Sequence, residues 1–443
     1  MQWMNTMENA VSLSARFEGS FAYYTIKDRL PKILTQVIDT IHRHKNKFYE
    51  EHGEAGMEAE KKAISFFSKL RNEMQTDKPI LPLTSDWPDT HLWNQYLEQQ
   101  RTLLNEGEEP SWFRSPWLYV ECYMYRRIQE GMMLSPPIAE FDVFGAVKNE
   151  SFFQSQQAII ALCTHLQERK RDIPSLSKEQ CQEEFYKLLQ VSLWGNKCDL
   201  SISGGQDNSQ KSSILASLES LKPFVLVDDM VSLWNILSRS GTEKDAKTRV
   251  DIVLDNAGFE LITDFILADA ILSLNLATEI HFHAKCFPWF VSDTTKRDFD
   301  WTIQQLLAAN HRWMSKCGQT WKENLKKGSW VYHENLFWTL PHEFWSMEGV
   351  APDLYAELKK SNLVLIKGDL NYRKLTGDRK WDFTTPFSQA LKTFHPAPLC
   401  SIRTLKADVQ VGLRPGVGEK LSAAESDWMV SGKYGVIQFS PAM

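Results

Sequence analysis

Long uninterrupted apolar runs are missing from this chain of 443 residues; its most apolar helical stretch, 261–278, is broken by Asp264 and Asp269. A membrane-spanning helix needs about 20 consecutive apolar residues, so none is expected. The first residues, MQWMNTMENAVSLSARFEG, offer neither a basic start nor an apolar centre, and no secretory signal is predicted from them. The seven cysteines are odd in number, scattered and never spaced as CxxC. That argues against a disulfide framework and a zinc ribbon, and fits a reducing compartment. Blocks of one charge are absent too: 50 basic and 56 acidic residues are mixed along the chain, for a net charge of −6. Neither a nucleic acid nor a membrane surface is an expected partner, and any anion must be held by a local site. A soluble intracellular protein is predicted, cytoplasmic or also nuclear.

Familiar catalytic signatures are lacking as well. There is no GxSxG elbow and no HExxH pair, since HEFW at 342–345 lacks the second histidine. GLRPGVGEK at 412–420 does not have the GxxxxGK[ST] spacing and reads as a turn. His281 and His283 alternate on a predicted strand and share a face, which suits packing against helices better than a metal. Asp255 is followed two positions on by Ala257 rather than a second acid, which disfavours an aspartyl-phosphate intermediate.

What is present is a hydrophobic content of 43%, enough to bury a large core or two moderate ones. Residues 1–190 read as an all-helical domain. In TIKDRLPKILTQVIDTIHRHKNKF, Thr25 is a candidate cap and Ile33, Leu34, Val37, Ile38 and Ile41 make one apolar face. In SPWLYVECYMYRRI, Ser115 and Pro116 suit a helix start before the stripe Trp117, Val120, Met124 and Ile128. Polar stretches at 201–213 and 238–248 read as loops. Beyond them RVDIVLD, ATEIHFHAK, NLVLIKGD and PLCSIRT read as strands, with helical pattern between the first two long enough for a βαβ crossover. Residues 191–443 are therefore predicted to form a three-layer α/β/α domain with a mostly parallel sheet.

Ligands of such sheets bind beyond the carboxyl ends of the strands. Asp255 and Asn256 fall at one predicted strand end, and Asp293 leaves the apolar run Trp289–Val291 just before a helix start. The bland reading is that all three cap helices. The sharper one is an all-oxygen ligand set for a hard divalent cation such as Mg²⁺ or Mn²⁺, with room for water and phosphate. Near a third strand end Lys367, Asp369, Asn371, Arg373 and Lys374 crowd around Gly368, where a glycine permits close backbone approach. A fourth carries Arg403 and Lys406, a fork and a point charge for a phosphoryl group. Such charge runs are also common on solvated faces.

Taken together, LDNAGFEL, VSDTT, KGDLNYRKL and RTLK resemble the damage-control phosphatase family, formerly a domain of unknown function, and within it the subfamily marked by RTxK. The resemblance runs over nearly the whole chain, from GSFAYYTIKDRLP to FHPAPLCSIRTLKADVQVGL. It implies a divalent-metal-dependent phosphatase of sugar phosphates, of the fructose 1-phosphate and fructose 6-phosphate type. Asp255, Asn256 and Asp293 would then hold Mn²⁺, Co²⁺ or Ni²⁺ and carry catalysis. By the same resemblance Asp369, Leu370, Asn371, Tyr372, Arg373 and Lys406 would bind substrate beside Asp255 and Asn256; the placement of Lys367 and Arg403 adds them to the expected substrate ligands, and Asp369 is the candidate to orient water or sugar hydroxyls. The same type of protein is also described as an S-adenosylmethionine-dependent carboxyl methyltransferase acting on protein acidic side chains. That activity would want a glycine-rich turn after the first strand, where only Gly258 stands. A third reading is an interaction module whose strand-end polar residues only cap helices.

Overall fold

A computed structural model describes residues 10–195, 213–240 and 247–442. The two polar stretches read as loops, and Cys198, lie largely outside them. Seven strands form one sheet in the order β1-β7-β6-β5-β2-β3-β4. They are β1 Val225–Asp228, β2 Arg249–Val253, β3 Glu279–Ala284, β4 Trp330–Glu334, β5 Leu363–Lys367, β6 Leu399–Thr404 and β7 Gly435–Ser440. Every neighbouring pair is parallel except β6 and β7. The expected mostly parallel α/β sheet is thus observed. The four strands read from the sequence are β2, β3, β5 and β6, while β1, β4 and β7 complete the edges.

The central strands β2, β3, β5 and β6 are buried on both faces, and successive residues feed two cores. Val250, Ile252, Ile280 and Phe282 point into one with the Phe259–Ser273 helix and the helices Gln156–Asp172 and Lys178–Leu193. Val253, Val364 and Ile366 point into the other, shared with Trp289, Trp338 and the N-terminal helical region. There the Leu30–Arg43 helix buries Ile33, Leu34, Val37 and Ile41 as its pattern predicts. Ser20 rather than Thr25 caps the entry to this region, its hydroxyl accepting from the Tyr23 N–H at 3.1 Å, and Thr25 sits in a wide π-turn. The Trp117–Met133 helix starts directly after Pro116 and is buried on nearly every side, so its aromatics are core.

Strands β3 and β4 lie to one side of β2, and β5 and β6 to the other. The strand order therefore reverses between β2 and β5, and the crevice at such a reversal is where α/β sheets take their ligands.

Candidate active site

After β2 the chain passes through Leu254, Asp255 and Asn256 before the helix begins at Phe259. Neither polar residue caps that helix: Gly258 occupies the cap position at φ 70° with no side-chain hydrogen bond. Asp293 is not a cap either, because Thr295 begins the Lys296–Ala308 helix in a reciprocal box with Asp298. The two loops are instead paired to each other. The Ala257 N–H donates to the Ser292 carbonyl and the Thr294 N–H to the Asp255 carbonyl, both at 2.8 Å, with Asn256 and Asp293 opposite one another. Two segments separated by a whole helix and strand thus present three oxygen-bearing side chains side by side. The turn before Asp293 holds Phe290 at φ 44° and Val291 at φ 69°. A β-branched residue there is strained. Tyr125, from the helical region, stacks on Phe290 at 4.5 Å and holds the turn in place.

From the β5 side, Gly368 (φ 87°) lies so close that a Cβ on it would stand 2.1 Å from the Asp255 carboxylate. Asn371 donates to the Lys367 carbonyl (2.7 Å) and the Leu254 carbonyl (3.3 Å), tying the ends of β2 and β5 together. Asp369 Oδ1 accepts from Arg403 Nε at 2.7 Å and from the Lys406 N–H at 3.0 Å. Arg403, fully buried over the Tyr372 ring, also donates to the carbonyls of Ala407 and Val409 and to Gln410 Oε1. Its guanidinium therefore shapes the RTLK loop from within. The Lys406 side chain is exposed and forms no ion pair with a described residue.

The structure commits several of the expected substrate ligands elsewhere. Lys367 is buried and its ammonium donates to Asp264 (2.8 Å) and to the Ser192 hydroxyl and carbonyl, each at 2.7 Å. Tyr372 donates to Gln438 Oε1 at 2.9 Å, and Leu370 is buried in the apolar core beneath the crevice. Arg373 pairs with Asp378 at 2.8 Å and Glu121 at 2.6 Å, its guanidinium 3.6 Å over the Trp117 ring. It fastens the sheet to the central helix of the helical region. Arg373→Met would leave two buried carboxylates unmatched and is expected to destabilise the protein by about 3–5 kcal/mol, read as a fall in thermal midpoint. An Arg373→Lys protein of normal stability but raised KM would instead put this residue on the substrate.

Two charged groups at the crevice were not singled out from the sequence. Glu260 Oε2 accepts from the Asn256 amide at 2.8 Å, and the same amide donates to Asp255 Oδ2 at 2.8 Å. The Lys285 ammonium stands 3.5 Å from Asp293 Oδ2 and 3.4 Å from Asn371 Oδ1. The available signals were an acid in the first turn of a helix after a strand-end Asp-Asn pair, and a lysine directly after β3.

Burial, reinforced by Glu260 and Asp293, pushes the Asp255 carboxyl well above the usual range, with Lys406 and Lys285 opposing. Burial likewise pushes Asp293 up to about 6 against the pull of Lys285. Asp293 Oδ2 is buried with no hydrogen-bond partner. Asn256 Oδ1, which accepts from the Ser292 hydroxyl at 2.5 Å, has a lone pair to spare. Crowded carboxylates, a buried oxygen without a hydrogen bond and donors that are all oxygen fit a hard divalent cation, which would offset the repulsion.

Comparison with known proteins gives concordant matches. The family described as "Damage-control phosphatase ARMT1-like domain" matches residues 25–421. Damage-control phosphatase ARMT1 of Xenopus tropicalis is 73% identical over 99% of this chain and 100% of its own length. The Homo sapiens protein of that name is 63% identical over 97% of this chain and 98% of its own. Among solved structures, a DUF89 family protein from Pyrococcus horikoshii aligns at 15% identity with a TM-score of 0.41, covering 80% of this chain and 91% of its own.

Proposed function

Because the chain belongs to the ARMT1-like damage-control phosphatase family, we propose that it hydrolyses sugar phosphates, fructose 1-phosphate and fructose 6-phosphate being the expected type. The reading includes a divalent ion, Mn²⁺, Co²⁺, Ni²⁺ or Mg²⁺, held by Asp255, Asn256 and Asp293. The observation that carries it is the buried Asp293 oxygen, without a hydrogen bond and faced by the Lys285 ammonium at 3.5 Å, in the same crevice as Asp255 and Glu260 at the sheet's reversal point. When bound, such an ion would supply Lewis acidity toward a phosphoryl oxygen and a more acidic water.

The chain's own groups supply the rest. Lys406 brings an exposed ammonium, without an ion pair among the described residues, to offset phosphate charge, on a backbone fixed by Asp369. Asp369 spends one oxygen on that loop, and we assign the other to sugar hydroxyls or the attacking water. Glu260 and Asp255 together fix the Asn256 amide, so its carbonyl oxygen faces away from both. Lys367 and Arg403 act from behind, setting strand end and loop.

Carboxyl methyl transfer from S-adenosylmethionine finds less support. The single glycine of the turn after β2, Gly258, is packed on Ser151, whose hydroxyl an added Cβ would meet at 2.7 Å. The test is a panel of sugar phosphates with Mn²⁺ run beside a labelled-methyl assay. Phosphate release that a chelator stops is the expected result; methyl incorporation without phosphate release would overturn the proposal. Lys406→Ala is expected to lower kcat/KM about 10–100-fold, the worth of one charge-assisted contact. An unchanged kcat/KM would remove Lys406 from the site.

Among the described residues no helix is long and apolar enough to cross a membrane.

A further inference from the structure

Away from the crevice, a second group of side chains has the composition of a metal centre. His281 of β3, His333 of β4 and Glu357 of the Pro352–Leu358 helix each present a ligating atom within 4.8 Å of the others. Register pairs His281 with Asp251, four residues before Asp255 on the neighbouring strand. At about 3.3 Å per residue the group therefore lies about 13 Å from the catalytic edge, toward the amino ends of the strands. We propose that His281, His333 and Glu357 form an independent binding site for a borderline divalent transition ion of the Zn²⁺ class.

The donor set decides the class of ion. Two imidazoles and a carboxylate suit Zn²⁺ and its neighbours and leave a fourth position open, unlike the all-oxygen set at Asp255. The geometry is already drawn in. His281 Nδ1 and His333 Nε2 stand 2.7 Å apart, with the rings stacked at 4.9 Å and 20°. His283 stacks on the other side of His333 at 4.9 Å and 13°, and is itself fixed by Asp251 at 2.7 Å. On the far edge of the same ring, His281 Nε2 is buried without a hydrogen bond and stands 3.5 Å from the Glu279 carboxylate, a ready acceptor for the ring proton when Nδ1 binds an ion. Two nitrogens on one tetrahedral ion sit about 3.3 Å apart, so an ion would replace the hydrogen bond between the rings, part them by about half an ångström and turn both toward itself.

The surrounding charges allow this. Burial, then the nearby Arg249, holds His281 down at about 4, and burial with His283 does the same for His333. Both rings are neutral near pH 7 and need shed no proton to bind. Arg249 is matched by Asp251 through two contacts of 2.8 and 2.7 Å and also reaches Glu357 Oε1 at 2.5 Å. The other Glu357 oxygen pairs with the exposed Lys360, a contact that water replaces at little cost. An ion here would pin the edge strand β4 to β3 and to the helix beside it.

The experiment uses the full chain, stripped with a chelator and titrated with Zn²⁺ alone by calorimetry. Asp255→Asn weakens the ion site proposed at the crevice, and the double variant with His333→Gln then assigns the Zn²⁺ that remains. Binding of one equivalent by Asp255→Asn, lost in the double variant with His333→Gln, is the expected result. An Asp255→Asn protein that binds no Zn²⁺, or a double variant that binds as the single one does, would overturn the proposal. A measurement that needs no change in the cluster is the ¹⁵N spectrum of the imidazoles in Asp255→Asn. Zn²⁺ should shift the His281 and His333 rings; unmoved rings count against the site.

Discussion

Asp255→Asn is expected to lower kcat/KM for sugar phosphates on the order of 10³-fold or more while making the ion-free protein more stable, not less. The two effects have one cause. Asp255, Glu260 and Asp293 are buried together, and Asp255 is driven toward its neutral form by burial and by the other two acids. The substitution deletes a charge that the fold holds at a cost and keeps the shape, including an oxygen able to accept from the Asn256 amide at the position of the 2.8 Å contact. The thermal midpoint without divalent ions should therefore rise, and the increase that Mn²⁺ gives the parent protein through mass action should vanish. Thermal unfolding with and without Mn²⁺, beside a kinetic assay, reads both. An Asp255→Asn protein that is less stable when stripped, or is still stabilised by Mn²⁺, would show that the carboxylate cluster is a structural network rather than a ligand set.

Gly368→Ala should abolish the same activity without touching a charged group. Two features require glycine here. Its φ of 87° with ψ of 170° is a conformation that side-chain-bearing residues adopt at a cost of about 1–3 kcal/mol. In addition, its methyl group would lie 2.1 Å from Asp255 Oδ2, the same oxygen that accepts from the Asn256 amide, so the carboxylate cannot retreat without losing that hydrogen bond. Either Asp255 leaves its place or the β5 turn does, and Asp369 moves with that turn. Gly328→Ala is the control. It too has a positive φ, 77°, but nothing lies within 4 Å of the added carbon, so only the backbone cost of about 1–2 kcal/mol applies. Full activity in Gly328→Ala beside loss of Mn²⁺-dependent hydrolysis in Gly368→Ala is the expected pair. Equal activity in both would mean that Asp255 need not lie against the β5 turn.

Strands β2, β3, β5 and β6 could be read from the chain because each is a short buried run rich in β-branched and apolar residues, LVLIK of β5 being the plainest. The outer strands could not. Strand β4, WVYHE, is an edge only partly buried, and β7 runs against its neighbour β6 with a glutamine in the middle. The crevice residues Asp255, Asn256, Asp293 and Asp369 stood out because each follows, or nearly follows, an apolar run. The fate of the cations beside them did not. Lys367 finds Asp264 at a separation of 103 residues, and Arg373 finds Glu121 at 252. The histidines teach the same lesson: their alternation suggests packing against helices, whereas His283 bonds to Asp251 of β2 and both it and His281 meet His333, because β3 lies between β2 and β4.

The sequence by itself determined the class of fold, the end of the sheet where polar groups gather and the family to which they point, because strand periodicity and strand ends are local patterns. Tertiary structure decided which of those polar groups share a crevice and which are spent on internal ion pairs. A charge is matched by whatever lies within a few ångströms, and chain distance says nothing about that.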